Sequence, residues 1–374
     1  MNFAIVPAED SQLNDRLFRD DRPADDRSVS TYHIRGLRRE IEARGDQIHT
    51  IDKYADDSQI DYCILEWPYW KQINMLRGRG LLPRTIYANA EPVSVIPDNC
   101  PEGYQKLKKI YPYILTWNKD WTDGESVFLK NIPYPFVVDF GVAHNQSLDS
   151  GKSESRLTEE EYKSRKLLTA ITADKHSDVP GELYSERRNV YSFFETNYPD
   201  DFDFYGIRWK KEEHPGYKGT VEDKLDVYHN YRFAICLENT RGASDYVTEK
   251  IYDCLCAGIV PIYGGTENIS EYVPRDCFID YFSFDSYEEM ASYLQNMSLE
   301  TYNEYRDAIY RWLAETDHSE QSIERYVELL YEAVSHKKNF KISIGTNVEI
   351  MCRAAWEVVR ARLVEIKHKL AKRG

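Results

Sequence analysis

The stretch CLENTRGASDYVTEKIYDCLCAGIVPIYGG, residues 236–265, is the part of the sequence that indicates the fold most clearly. It reads in order as an apolar strand, a polar loop, the start of a helix and a second apolar strand. Two strands joined through a helix are typical of a parallel α/β sheet. Asp245 is placed as an N-cap, which predicts a helix that begins near Tyr246 and that Gly258 ends.

The start of this predicted helix carries Glu249 beside Lys250. Free backbone N–H groups and the helix dipole favour phosphates at such a position, and Lys250 adds a full positive charge. A carboxylate such as Glu249 accepts hydrogen bonds from ribose hydroxyls. Asn239 ends its strand, where open α/β sheets bind ligands, and Tyr246 is placed to pack against a base or sugar. The pattern favours a nucleotide-diphosphate site; alternatively, Glu249 only complements the helix dipole and Lys250 is solvated.

Strands alternate with helical patterns along the rest of the chain, starting from an apolar strand near its beginning. A chain of 374 residues is long for a single core. Residues 145–165 are polar and charged, so they are the best candidate for a linker. The pattern predicts an N-terminal domain over residues 1–165, a C-terminal domain over 166–340 and a tail over 341–374.

Composition restricts the class of protein. The net charge of −15 argues against a general nucleic-acid binder, because such proteins carry a basic surface. The seven scattered cysteines indicate free thiols in a reducing compartment. The run of residues at the start is too short and too acidic for a signal peptide. No apolar run approaches the roughly 18 residues of a membrane span. We therefore expect a cytoplasmic protein.

The tail has a different pattern from about Val348 onward. Its apolar residues recur on one helical stripe: Trp356, Val359, Leu363, Ile366 and Leu370. Its basic residues cover the rest of the surface: Arg353, Arg360, Arg362, Lys367, Lys369, Lys372 and Arg373. A basic amphipathic helix can lie on an anionic membrane. We therefore expect residues 348–374 to contact the membrane peripherally at its cytoplasmic, inner face; the alternative is a helix packed on the body.

The stretch also resembles the donor-binding motif of the α-1,3-fucosyltransferases, glycosyltransferase family 10. Three segments carry the resemblance: Glu238-Asn239-Thr240, Asp245-Tyr246-Val247-Thr248-Glu249-Lys250 and Ala257-Gly258-Ile259-Val260-Pro261-Ile262-Tyr263. The resemblance covers about residues 186–297 and implies an α/β fold of the GT-B type, with two Rossmann-like domains facing a cleft. It implies that the C-terminal domain binds GDP-fucose and the N-terminal domain binds the acceptor.

The resemblance also implies roles for particular residues. The residues it assigns to the donor are Arg188, Lys218, Glu238, Asn239, Tyr246, Glu249 and Lys250, with a solvated side chain as the alternative for Lys218. Arg188 and Lys250 are expected to stabilise the diphosphate, and the neighbouring Arg187 is the alternative to Arg188. No cofactor or obligatory metal is expected, since the Asp201–Asp203 run is interpreted as the edge of a strand.

An inverting transfer needs a general base for the acceptor hydroxyl. In the family this glutamate follows a strand of the N-terminal domain, and Glu91, between a predicted strand and Pro92, matches that place. Glu66 also precedes a proline at a strand end, so it is the alternative.

These observations predict an inverting glycosyltransferase that moves L-fucose from GDP-fucose to an oligosaccharide. The expected linkage is α-1,3 to N-acetylglucosamine or glucose, in the synthesis of a surface glycan such as an O-antigen or capsule. The alternatives are a GT-B transferase with another nucleotide sugar and a non-catalytic glycan-binding scaffold. The sequence predicts no particular oligomeric state.

Overall fold

The computed structural model describes residues 1–19, 29–129, 156–336 and 338–371. In these ranges the strands form two separate parallel sheets, one in each half of the chain. Residues 145–155 of the predicted linker lie outside the described residues.

The N-terminal sheet consists, in the described ranges, of β1 (Asn2–Val6), β2 (Gln47–Thr50), β3 (Tyr62–Leu65), β4 (Thr85–Ala88), β5 (Tyr113–Thr116) and β6 (Val127–Leu129). Its spatial order is β2-β1-β3-β4-β5-β6. The helices in this part are α1 (Val29–Ala43), α2 (Trp70–Gly78) and α3 (Pro101–Leu107). Every residue of β4 and β5 is buried, as expected for parallel strands that have both faces covered.

The C-terminal sheet consists, in the described ranges, of β7 (Lys166–Ile171), β8 (Phe202–Tyr205), β9 (Tyr231–Leu237), β10 (Val260–Gly264) and β11 (Ile279–Asp280). Its order is β11-β10-β9-β7-β8. The helices here are α4 (Glu159–Ser164), α5 (Tyr184–Asn197), α6 (Lys224–Tyr228), α7 (Glu249–Cys256), α8 (Tyr287–Asn296) and α9 (Leu299–Glu315). The predicted linker therefore ends in a helix, α4, which a Thr158–Glu161 capping box begins.

The last two helices cross back to the N-terminal half. α10 (Ile323–Ser335) shares a hydrophobic core with β1 and α1, to which it contributes Tyr326 and Leu330. α11 (Ile344–Ala371) packs on α2 and buries Ile350 in the core on the other face of the N-terminal sheet. The predicted boundary at residue 340 therefore differs from the structure, because the apolar face of α10 is buried against the N-terminal sheet.

The carboxyl ends of both sets of strands face a common cleft with a volume of about 520 Å³. Residues that follow β1, β3 and β4 line one wall, and residues that follow β7 and β9 line the other. Open α/β sheets bind ligands at this edge. The fold thus places the candidate site between the two halves of the chain.

Candidate active site

The start of α7 differs from the prediction by three residues. α7 begins at Glu249, and Thr248 is its N-cap, with a side chain that accepts from the backbone N–H of Lys250. Asp245 has a φ of 66° and accepts from Asn268 Nδ2 at 2.7 Å, so it holds the preceding loop instead of capping the helix. Gly258 has a φ of 63° and follows the helix, so its predicted role as helix terminator is confirmed.

Lys250 is held in the cleft wall by an acidic residue beneath it. Its Nζ atom lies 3.2 Å from Glu238 Oε2 and 3.6 Å from Glu249 Oε1. Burial by itself would lower the pKa of Lys250, but Glu238 and Glu249 raise it above its ordinary value. Against the opposing effect of burial, Lys250 and Lys224 lower the pKa of Glu249 to about 2. Both groups of the predicted pair are therefore charged at neutral pH and line the cleft.

Glu238 does not line the cleft, although the resemblance assigned it to the donor. Its side chain is fully buried and accepts from the backbone N–H of Thr248 at 2.8 Å. The Thr248 hydroxyl lies 2.8 Å from the other carboxylate oxygen. Glu238 thus joins the end of β9 to the start of α7 and positions Lys250.

The arginine that lines the cleft is Arg187, the alternative to Arg188, and Arg188 does not line it. Arg187 is 3% exposed, lines the cleft, and donates from Nη2 to the backbone oxygen of Glu238 at 2.7 Å and to Asn239 Oδ1 at 3.2 Å. Its Nε has no hydrogen-bond partner among the described residues. Arg188 lies one position further round α5 and pairs with Asp174 at 3.3 Å.

Lys218, which the resemblance assigned to the donor, does not line the cleft. Its Nζ lies 3.0 Å from Asp203 Oδ1, and Lys166 binds the other oxygen of this carboxylate at 2.7 Å. Asp203 lies within β8, which agrees with the strand interpretation of Asp201–Asp203. In the described part of the chain, no group of three His, Cys, Asp or Glu side chains is arranged to hold a metal ion.

Two further lysines, which were not predicted from the sequence, line the cleft. Lys175 follows β7, and Lys224 opens α6 and binds Asp253 Oδ2 at 2.6 Å. Lys175 could have been predicted as a site residue from its position beyond the carboxyl end of a strand. Burial lowers the pKa of Lys175, although Glu91 acts in the opposite direction.

Glu91 follows β4 and extends toward the C-terminal half. Its Oε2 atom lies 3.4 Å from Asn239 Nδ2 and 3.4 Å from Tyr246 Oη. Its backbone is fixed from both sides, because the N–H donates to Asn89 Oδ1 at 3.1 Å and the carbonyl accepts from Asn99 Nδ2 at 2.7 Å. Burial raises the pKa of Glu91, with Lys250 and Lys175 opposing this rise. The structure thus brings Glu91 together with Asn239 and Lys250.

Tyr246 has a different environment from the predicted one. Its ring is 1% exposed and packs edge-on against Trp117, with the ring centroids 5.1 Å apart. Its hydroxyl accepts from Asn239 Nδ2 at 3.2 Å and faces Glu91. The ring therefore joins the two halves of the chain, and only its polar edge is directed at the cleft.

Glu66 lines the same cleft but is held by two helices that pack on the N-terminal sheet. Tyr326 of α10 donates to its Oε1 at 3.1 Å, and His33 Nε2 of α1 lies 3.4 Å from its Oε2. Lys175, Lys250 and Asn239 of the C-terminal half lie near Glu91, so Glu91, and not Glu66, is the carboxylate that faces these groups.

Comparison with known proteins agrees with this geometry. Residues 180–360 match the model of glycosyltransferase family 10 (fucosyltransferase) C-term. An α-(1,4)-fucosyltransferase of Arabidopsis thaliana is 38% identical over 78 residues, 20% of this chain and 19% of that protein. The α-(1,3)-fucosyltransferase FucT of Helicobacter pylori is 31% identical over 90 residues, 24% of this chain and 18% of that protein. The aligned segments thus span about a fifth of the length of these curated relatives.

The fold is also shared with a solved structure. The crystal structure of an α1,3-fucosyltransferase with GDP-fucose superimposes with a TM-score of 0.53 at 15% identity, covering 91% of this chain and 92% of that chain. The predicted GT-B fold, with two Rossmann-like halves and a cleft between them, is confirmed. The predicted resemblance to glycosyltransferase family 10 is confirmed over residues 180–360, which match the model of that family.

Proposed function

We propose that this chain is an inverting glycosyltransferase that transfers L-fucose from GDP-fucose to a hydroxyl of an acceptor glycan. The observation that carries the proposal is the pairing, across one cleft, of Glu91 from the N-terminal half with Lys250 and Arg187 from the C-terminal half. The family 10 domain and the names of the aligned relatives support fucose as the transferred sugar.

The donor is expected at the start of α7. Lys250 and Arg187 neutralise the diphosphate, and the charge that develops on it in the transition state is stabilised by the same groups. Glu249, which stays ionised, accepts hydrogen bonds from the ribose hydroxyls. Because cationic side chains balance the diphosphate charge, we propose that the reaction needs no obligatory metal or other cofactor.

Glu91 is proposed as the general base. As the acceptor oxygen attacks C1 of fucose, Glu91 takes its proton, and the bond from C1 to the β-linked GDP breaks on the opposite side. A single displacement inverts the configuration and gives an α-fucoside. Burial raises the pKa of Glu91, which makes its carboxylate a stronger proton acceptor than an exposed one.

The finer assignments extend this proposal. We propose an α-1,3 linkage to N-acetylglucosamine or glucose in a surface glycan such as an O-antigen or capsule, made in the cytoplasm at the inner face of the membrane. None of the described helices meets the length and hydropathy needed to cross a bilayer. Contact with an anionic membrane through α11 is therefore proposed as peripheral.

Donor specificity separates the proposal from a transferase that uses another nucleotide sugar. Thermal-shift measurements with GDP-fucose, GDP-mannose, UDP-glucose and UDP-galactose should show stabilisation by GDP-fucose above the other three. Preference for a uridine donor would contradict the proposal.

A matched pair of variants separates an enzyme from a non-catalytic scaffold. Glu91→Gln should lower transfer to a glycan acceptor by about 10²–10⁴-fold, the usual contribution of a general base, with GDP-fucose affinity retained. Glu125→Gln, an exposed carboxylate remote from the cleft, is the control and should leave both unchanged. Undiminished turnover in Glu91→Gln would exclude Glu91 as the base.

A further inference from the structure

A second pocket lies at the opposite edge of the C-terminal sheet from the cleft. It is open, has a volume of about 720 Å³, and is lined mainly by residues at or just before the amino ends of β7, β8 and β9. Its basic side chains are Lys163, Arg165, Lys166, His229 and Arg232. The proposed donor site lies at the carboxyl ends of the strands, so this basic pocket is separate from it.

Arg165 and Arg232 differ from the lysines of this pocket. Lys163 and Lys166 pair with carboxylates outside it, at 2.6 and 2.7 Å. The two arginine side chains are partly buried, yet in the described ranges neither guanidinium makes a hydrogen bond or an ion pair. Arg165 Nη1 and Arg232 Nε are covered by protein, whereas the other nitrogens of both groups stay accessible. Since burying part of an ionised group without a partner is unfavourable, the two guanidiniums carry donors that the chain itself does not satisfy.

The fold places these two arginines side by side. The register of β7 with β9 pairs Lys166 with Tyr231, so Arg165 and Arg232, each one position away, lie on the same face of the sheet. The guanidinium carbon of Arg232 lies 4.6 Å from the centroid of the Tyr162 ring, a cation–π contact that holds this side chain in place. A group that is fixed before a ligand arrives loses little entropy on binding.

Two carboxylates, those of Glu161 and Asp201, also line the pocket and reduce its positive potential. Glu161 Oε2 accepts from the backbone N–H of Thr158 at 2.7 Å, as part of the cap of α4. Within the part of the chain that the structure describes, neither carboxylate forms an ion pair with Arg165 or Arg232. The carboxylates would repel an extended polyanion, so the pocket suits a small anion that lies between the two guanidiniums.

We propose that Arg165 and Arg232 form a binding site for a phosphate group, either inorganic phosphate or the phosphate of a small ester. A guanidinium donates two parallel N–H groups to neighbouring oxygens of one anion, and a phosphate presents several such oxygens. The second guanidinium balances the second negative charge of a phosphate dianion. The site goes beyond the proposed transfer and does not depend on it.

The test titrates the full chain with inorganic phosphate by isothermal titration calorimetry, with GDP in excess so that the cations of the cleft are occupied. The wild type should bind phosphate saturably. Arg165→Gln and Arg232→Gln should each weaken this binding by about tenfold or more, the loss typical of charged hydrogen bonds. Arg39→Gln, which changes an exposed arginine of α1 in the N-terminal half, is the control and should bind phosphate as the wild type does. An unchanged circular dichroism spectrum shows that each variant is folded.

Because Arg232 also packs on Tyr162, Arg232→Lys is measured as a variant that keeps the charge but loses the paired N–H groups, and it too should bind phosphate more weakly. Glycerol phosphate is the second probe: tighter binding than inorganic phosphate identifies an ester as the ligand, and weaker or equal binding identifies inorganic phosphate. The inference is overturned if the wild type shows no saturable binding, if acetate binds as tightly as phosphate, or if Arg165→Gln and Arg232→Gln bind phosphate like the wild type.

Discussion

At the scale of single residues, the candidate site depends on a few charged residues that are held in place by hydrogen bonds. Arg187 is anchored by the carbonyl oxygens at the end of β9, and Glu91 is anchored by Asn89 and Asn99. Charged groups that are already fixed in place lose little entropy when a ligand binds. Changes at these residues should therefore appear in ligand affinity and pH dependence.

The two adjacent arginines of α5 should behave differently. Arg187→Lys removes the planar group that contacts the end of β9, so we expect GDP affinity to fall by about tenfold or more, the loss typical of a charged hydrogen bond. Arg188→Ala removes the half-buried pair with Asp174 and hydrogen bonds to the Lys175 carbonyl and the Ser185 hydroxyl, but no side chain that lines the cleft, so GDP affinity should stay within about twofold. Isothermal titration calorimetry with GDP measures the affinity of both variants. A larger loss of affinity in Arg188→Ala would favour Arg188 as the arginine that binds the donor.

Lys175 should tune the pH dependence of transfer. If Glu91 is the base, kcat is lost as the pH falls through its pKa, which burial raises and Lys175 opposes. Lys175→Met removes that opposition, so the pKa of Glu91 rises further and the acidic limb of the kcat profile moves to higher pH. The exposed Lys106→Met is the control; a shift to lower pH in Lys175→Met would contradict this account.

At the scale of elements, the order of strand, loop and helix around residues 236–265 could be predicted because each depends on local pattern. The exact start of α7 could not. Asp245 has the side chain of an N-cap, but Asn268 and Tyr272, more than twenty positions away, bind its carboxylate. Lys218 is a second example, since it pairs with Asp203 on β8, and this contact could not be predicted from the local pattern. Sequence patterns identified the elements, whereas contacts between distant residues decided which polar side chain faces the cleft.

The cap of α7 yields a prediction about stability. Thr248→Ala removes the cap and one partner of the buried Glu238, so the free energy of unfolding should fall by about 1–2 kcal/mol. Thr248→Ser keeps the hydroxyl and should recover most of this loss. Urea denaturation of the three proteins measures the effect, and equal losses in the two variants would show that the methyl group, and not the hydroxyl, matters.

At the scale of the whole molecule, the chain crosses back after the C-terminal sheet, and this was not evident from sequence. The sequences of α9 and α10 have similar amphipathic patterns, yet the two helices pack on different sheets. The crossing brings Tyr326 to Glu66, so a helix near the end of the chain positions a carboxylate in the N-terminal wall of the cleft. Together with Trp117 against Tyr246, it connects the two halves around the cleft.

After this crossing α11 lies on the surface of the molecule, and its first and later parts have different environments. Its first part packs on α2, where Arg353 lies over the Trp70 ring at 4.6 Å and pairs with Asp98 at 3.2 Å. Further along, Trp356 is 64% exposed, Leu363 51% and Ile366 52%. The side chains of Lys367, Lys369, Leu370, Lys372 and Arg373 lie outside the described residues. Packing on the body and an exposed amphipathic surface thus occur together in one helix.

The exposed part of α11 leads to the final prediction. Exposed apolar residues beside Arg360 and Arg362 should insert at an anionic lipid surface, where burial of apolar side chains and attraction of the arginines act together. The wild type should sediment with vesicles containing phosphatidylglycerol, less so at high salt, and not with pure phosphatidylcholine. Trp356→Ser combined with Leu363→Ser should abolish sedimentation while transfer to a soluble acceptor is kept, since neither residue lines the cleft. Equal sedimentation of the wild type and this variant would mean that α11 does not provide the membrane contact.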